Sequence, residues 1–345
     1  MKESGKIHYR STVVALLITL VCLCSCSERF IFEGEGDCGM YYHIRFKYDY
    51  NIKFADAFAN EVNSVALYVF DDNGILVQEV MVDDEESLSS ESFGIVLEPT
   101  VGEYQIMALG GMANETSFEL MPETKIGETT LEDMKVRMHR EYDDEGNAYV
   151  ENEIAPYFHG NIPLTVSAEE GTYNETMVLT KNTNVVRVML QETSNEEINP
   201  DKFIFEIKDK NGLYAWDNSR LEDDTITYKP WHITTGTTVI EDSLVGSKDS
   251  NVSVVIAEHT IGRMIAGESP ILTVRNSETD EEILTLPIAD YALLTKGFYN
   301  HEMGDQEYLD RQDEYTLAFF LNGGEWLSTV IYINSWRIII NDEDI

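Results

Sequence analysis

The chain has 345 residues and a formal charge of −39, with 63 acidic side chains against 24 Lys and Arg. Such a surface repels phosphate backbones and anionic lipid, which argues against nucleic-acid binding and against attachment to a membrane by charge alone. An apolar fraction of 43% with 18 Tyr, 14 Phe and 4 Trp excludes a disordered chain and provides core enough for two domains of ordinary size.

The first ten residues, MKESGKIHYR, carry Lys2, Lys6 and Arg10 against Glu3, and residues 13–23 form an almost unbroken apolar run. That run falls well short of the roughly 20 residues a bilayer requires. A basic start before a short apolar core is the layout of a secretory signal. The following Leu23-Cys24-Ser25-Cys26 is similar to the bacterial lipobox, in which the final thiol receives a diacylglycerol and becomes the new N-terminus. Residues 1–25 are therefore expected to leave with Cys22 and Cys24, and Cys26 is the expected lipidation site; a cleaved signal without lipid is the alternative. Subtracting the signal's net +2 from −39 leaves −41 on the mature part. With Cys26 acylated, Cys38 has no intrachain partner and reads as a small buried apolar residue.

Strand patterns dominate the mature chain. A first strand is expected near residues 40–48. VALYVF at 65–70 ends in Asp71-Asp72-Asn73-Gly74 and resumes at 75–80, which predicts a β-hairpin because Asn and Gly tolerate positive φ. Residues 102–109, 185–190, 202–208, 252–257 and 271–274 read as strands from their β-branched and aromatic content. Short helices are expected near 55–62 and near 129–138, the second opened by a Thr cap. The polar, turn-rich stretch 167–184 predicts a boundary near residue 175, within about ten residues. That gives a linker at 26–37 and domains at 38–175 and 176–345. Each half carries a hairpin-like unit after its first strand, DDNG in one and DKNG (209–212) in the other. Together these features predict an all-β chain of β-sandwiches with a few short helices.

Chemistry-bearing motifs are scarce. GxSxG, HExxH, the P-loop and GxGxxG do not occur, and no His lies within four residues of another. The acidic runs 83–86 and 143–147 lack the spacing of a calcium loop and read as solvated turns. His159-Gly160 reads as a packed turn. No catalytic residue, metal or cofactor is predicted. Near the C-terminus, Arg311 stands among Glu307, Asp310, Asp313 and Glu314, and reads as an ion-pair cluster ordering a loop. Residues 315–321 and 329–341 are strand-like and joined across Asn322-Gly323-Gly324. The last run is the longest in the protein. Val330, Tyr332, Asn334, Trp336, Ile338 and Ile340 fall on one side and Ile331, Ile333, Ser335, Arg337 and Ile339 on the other; both are largely apolar, so it expects cover on both faces.

The stretches DCGMYYHIRFKYDYN, ADAFANEVNSVALYVFDDNGILV, FHGNIPL, LTKNTNVVRVML, PIADYALL, QEYLDRQDEYTLAFFL and INSWRIIIND, in this order, resemble the FimB family of fimbrial anchor subunits, lipoproteins of Bacteroides-type bacteria. The resemblance implies two transthyretin-like β-sandwich domains in tandem. It implies a non-enzymatic outer-membrane lipoprotein, surface-exposed at the base of a fimbrium, which tethers the polymer and limits its length. Cys26 matches the lipidated cysteine of the family. Fimbrial stalk subunits are the implied partners, joined by β-strand addition. An anchor must keep the N-terminus that carries its lipid, so its first strand is expected to stay in place and its C-terminal run, 329–341, to be the strand it donates. Tyr332, Trp336 and Ile338 would then fill the partner's pockets. The competing reading makes that run the last core strand of the second sandwich. Alternatives for the whole chain are a stalk or tip fimbrillin, or a glycan-binding lipoprotein with Trp216 and Trp231 as a sugar platform. Asp224-Thr225-Ile226 and Asp242-Ser243-Leu244 are similar to a short O-glycosylation pattern of exported proteins in this bacterial group.

Overall fold

A computed structural model describes residues 39–90, 92–113, 117–194, 196–240, 250–298, 302–323, 325–327, 330–334 and 336–339. In chain order the first strands are β1 (Met40–Lys47), β2 (Val65–Phe70), β3 (Leu76–Val82), β4 (Gly94–Leu97) and β5 (Gly102–Gly110). Next come β6 (Phe118–Met121), β7 (Lys135–Met138), β8 (Glu141–Tyr142), β9 (Ala148–Val150), β10 (Phe158–Val166), β11 (Gly171–Val178) and β12 (Thr180–Lys181). The later strands are β13 (Thr183–Glu192), β14 (Phe203–Asp209), β15 (Leu213–Ala215), β16 (Ile226–Tyr228), β17 (His232–Ile240), β18 (Ser250–Gly262), β19 (Ile271–Asn276) and β20 (Glu282–Pro287). The chain closes with β21 (Glu314–Asn322), β22 (Glu325–Trp326), β23 (Val330–Ile333) and β24 (Trp336–Ile339).

Alternation of apolar and polar residues places these strands in sandwiches. The sheet β11-β1-β4 faces the sheet β12-β10-β5-β2-β3. Tyr42, Ile44 and Phe46 of β1 meet Val65, Leu67 and Val69 of β2 in one buried core. A second core lies between β17-β18-β13-β21-β23-β24 and β20-β19-β14-β16-β9-β8. There Val186 and Val188, Leu317 and Phe319, and Ile331 and Ile333 are buried against Phe205, Ile207, Leu272 and Leu284. The protein is thus all-β and built of sandwiches with a few short helices. The two units share a pattern: β1 runs parallel to β11 and antiparallel to β4, and β13 runs parallel to β21 and antiparallel to β18.

Several local expectations hold. The 71–74 turn closes a β2–β3 hairpin, with Gly74 at φ +73 and the Asp71 carboxylate accepting from the Asn73 and Ile75 amides. Others are corrected. The expected helix near 129–138 is a single 3-10 turn, Leu131–Asp133, followed by strand β7. Alternate burial of Val136 and Met138 decides this, because each fills the second core from a three-stranded sheet, β15-β7-β6. DKNG at 209–212 does not close a hairpin: β14 pairs with β16 and β19, whereas β15 pairs with β7. Asn211 is the reason. Its side chain is buried and accepts from Tyr228 Oη at 2.5 Å, while its carbonyl accepts from Tyr214 Oη at 2.7 Å, so the turn is tied into the core. The polar stretch 167–184 contains β11, an edge strand whose polar residues face solvent, then β12 and the start of β13. His159 lies in β10, not in a turn.

Candidate interface at the C-terminal sheet edge

The run 329–341 is not one strand. It folds as a β23–β24 hairpin in which Ile333 pairs with Trp336 and Ile331 with Ile338. Asn334 makes the turn possible at φ +47, a region that Asn enters more readily than other non-glycine residues. Its Oδ1 accepts from the Thr316 amide at 2.7 Å, its own amide donates to the Thr316 carbonyl at 3.0 Å, and its Nδ2 donates to the Glu314 carbonyl at 3.1 Å. These three bonds pin the turn to the start of β21. Within the apolar run 329–341, Asn334-Ser335 is the turn signal that the sequence offers.

This hairpin redistributes the three residues expected to make contact. Tyr332 stands in register opposite Arg337, beside Ala318 of β21, and packs edge-on to Phe320 with ring centroids 5.7 Å apart. Trp336 and Ile338 lie on β24, opposite Ile333 and Ile331. In register Tyr332 is therefore separated from the other two. β23 fits the core-strand reading, since Ile331 and Ile333 are fully buried. β24 is the terminal strand of its sheet, paired on one side to β23 among the described residues. An edge of this kind offers backbone donors and acceptors to an added strand. The opposite end of the sheet is β17, and the first strand, β1, is enclosed between β11 and β4.

The ion-pair cluster is more distributed than its sequence implies. Residues 305–311 form a helix, and each acid finds a different cation. Asp310 receives two bonds from Arg263, at 2.6 and 2.8 Å. Asp313 pairs with Lys181 at 2.7 Å and Glu314 with Arg187 at 2.9 Å. Among the described residues Arg311 pairs with Glu307 alone, at 2.8 Å. Its guanidinium lies over the rings of Tyr50 (4.3 Å) and Phe54 (4.5 Å) and donates to the carbonyls of Asp49 and Asn51 at 3.0 and 3.4 Å. Phe54 stands at φ +52. Burial alone would lower the Lys181 pKa, but Asp313 and Glu61 outweigh it and hold the ammonium above its usual range. The Arg311 and Asp313 contacts fasten the segment ahead of β21 to the N-terminal sandwich, while Asp310 and Glu314 tie it to Arg263 and Arg187 of the second.

The remaining singled-out residues are structural. His159 bonds the Trp216 carbonyl at 2.8 Å, and burial pushes its pKa down to about 4. Trp216 packs against the second core. Trp231 stacks on His232 at 5.5 Å with its indole nitrogen buried. Asp84 caps a short helix, Glu85–Leu88, through the Ser87 amide. Asp143 accepts from Asn147 and Glu145 within its own turn, bonds that hold its carboxyl below the usual range. Among the described residues no group of three or more His, Cys, Asp and Glu is placed to hold a metal, and no helix is long and apolar enough to cross a membrane. Thr225 is exposed and its neighbour Asp224 accepts from Tyr142. Cys26, Cys38 and the 242–244 motif lie outside the described residues.

The described residues thus form β-sandwiches in which the first strand is enclosed and β24 is paired on one side, the architecture of a structural β-subunit. The chain belongs to the family of fimbrillin-A associated anchor proteins Mfa1 and Mfa2, whose model matches residues 35–342. It is similar to a solved Bacteroides thetaiotaomicron protein described as a candidate adhesin, with 32% identity and TM-score 0.75 over 88% of this chain and 99% of that one. A second B. thetaiotaomicron structure, described as a candidate polysaccharide-binding protein, has 27% identity and TM-score 0.73 over 89% and 100%. The fold is also that of the fimbrial anchor protein Mfa2 from Porphyromonas gingivalis, at 19% identity and TM-score 0.63 over 88% and 99%. No curated protein sequence matches the chain. The resemblance to fimbrial anchor subunits is therefore shown, and the chain is of the structural, fimbrial anchor and adhesin kind.

Proposed function

We propose that this protein is a lipoprotein anchor that ties a fimbrial polymer to the outer membrane and limits its length. Cys26 carries the lipid, residues 26–37 form the tether, and two sandwiches follow, with the seam at Asn182 between β12 and β13; β6–β9 lend strands to the second sandwich. Stalk subunits dock by strand addition at β24, where Trp336 and Ile338 sit, with Tyr332 behind them on β23. The observation that carries this reading is the asymmetry of the two ends. β1 occupies a central position between β11 and β4, so the first sandwich presents no vacant place for a donated strand there, whereas β24 has a neighbour on one side only among the described residues. Backbone hydrogen bonds contribute roughly 0.5–1.5 kcal/mol net each, so a few pairs at one edge hold only with side-chain support.

Deleting the gene tests the reading. An anchor's loss sheds fimbriae into the medium. Fimbriae that stay attached, with impaired growth on a polysaccharide, would instead support the glycan-binding alternative.

A further inference from the structure

An anchor is held at one end and pulled at the other, so the direction in which its strands are loaded matters. Only a tethered chain bears tension, so a load-bearing role rests on the anchor reading. β1 and β11 are parallel and in register from Met40 opposite Gly171 to Lys47 opposite Val178. The ladder extends at both ends, with the Gly171 amide donating to the Gly39 carbonyl and the Leu179 amide to the Lys47 carbonyl. Both strands leave the pairing at the same end and toward the same place. Past Val178 the chain enters β12 and then β13 of the second sandwich. Past Lys47 it enters the Asp49–Asn51 segment, whose carbonyls accept from Arg311, just ahead of β21. The N-terminal tether enters at the opposite end, at Met40.

Tension between the tether and the second sandwich therefore draws β1 lengthwise past β11. Hydrogen bonds of a parallel ladder run across the strands, so sliding strains the whole row together, whereas parting the strands from one end breaks the bonds in sequence. Side chains add to the resistance: Tyr42 stacks on Tyr173 at 4.8 Å, and Ile44 and Phe46 are buried in the first core. The second sandwich repeats the arrangement. β13, entered at Thr183, is parallel to β21 from Val185 opposite Glu314 to Glu192 opposite Leu321, and β21 carries the β23–β24 hairpin. We infer that these two parallel strand pairs are shear clamps in series, which let the folded protein hold a polymer under pull without surrendering its first strand.

Single-molecule force measurements on the soluble chain from Ser27 to Ile345 test this. The first handle is a terminal tag ahead of Ser27, so load enters at the Met40 end of β1, and Cys38→Ser removes the one native cysteine of that chain. The second is an introduced cysteine at an exposed position, either Val178→Cys at the far end of β11 or Glu170→Cys beside its near end. Pulling between the N-terminus and 178 loads the ladder in shear, and pulling between the N-terminus and 170 peels the same strands apart. The expected result is a rupture force several-fold higher with the handle at 178 than with the handle at 170. Pulling between the N-terminus and Leu327→Cys should give a force of the shear kind. Equal forces in the first two arms, or a third as low as the peeling arm, would overturn the inference. The outcome does not depend on whether deletion strains shed fimbriae, so failure here is distinguishable from failure of the anchor reading.

Discussion

Removing the Asp310 carboxylate should cost far more than a surface charge would. Asp310 is 5% exposed and receives both Nε and Nη2 of Arg263, while Gln306 Nε2 donates to it at 2.8 Å. Arg263 in turn donates to the Asn218 carbonyl at 3.1 Å, and its side chain is 13% exposed. Burial alone would lower the Arg263 pKa; the Asp310 contact outweighs it, so the guanidinium stays charged. Asp310→Ala leaves that cation buried without its counter-ion, a change that costs about 3–5 kcal/mol in comparable sites. Urea unfolding followed by circular dichroism should show the midpoint fall by roughly 1 M or more. Asp310→Asn keeps an acceptor and should cost less. Replacing both partners, Arg263→Met with Asp310→Leu, should return most of the loss, because neither charge then remains to be desolvated. If Asp310→Ala costs less than about 1 kcal/mol, the pair is not a buried fastening.

Acid should weaken the fold through its histidines. Burial holds His159 and His259 down at about 4 against an ordinary 6.5, so the unfolded chain takes up protons that the folded chain refuses. Their stabilisation, about 3 kcal/mol each at most, is complete above pH 6.5 and lost as the pH falls toward 4. Asp209 acts in the opposite sense: burial raises it to about 6, so its contribution grows as the pH falls from 6 toward 4 and offsets about one histidine. Unfolding free energies from pH 7 down to 4 should therefore decline, and His259→Gln should flatten the decline; a variant with the wild-type slope would contradict this. Asn334→Ala should destabilise the hairpin by about 1–2 kcal/mol, and Asn334→Gly by less, since Gly accepts positive φ; thermal melts check the order. Cys26→Ala should abolish fatty-acid labelling and release the protein or block its processing. Equal labelling of mutant and wild type would rule out Cys26 as the lipid site.

Legibility in the sequence tracks the range of the interactions. The β2–β3 hairpin was legible because Asp71–Gly74 encodes it within four residues. The Thr129–Met138 segment offered a real local signal, Thr130 Oγ1 donating to Asp133 at 2.6 Å, but that signal ends one 3-10 turn later. What makes 135–138 a strand is pairing with residues 213–215, which no local pattern announces. The C-terminal run kept its period of two straight through Asn334, so alternation hid a turn set by bonds to Glu314 and Thr316. Cations for Asp310, Asp313 and Glu314 come from Arg263, Lys181 and Arg187, so these charges were visible and their partners were not; only the Glu307–Arg311 pair is local. Truncation after residue 324 would remove buried Ile331 and Ile333 together with β24, whereas stopping after Asn334 keeps both and removes β24.

The most direct measurement is site-specific photocrosslinking on living cells. A photoreactive amino acid at Arg337 on β24 should yield a covalent adduct with a fimbrial subunit. The same group at Thr237 on β17, the opposite edge of the sheet, should yield none. An adduct from Thr237 and not from Arg337, or no adduct from β24 on cells that retain their fimbriae, would contradict the claim that the polymer is held at the C-terminal edge.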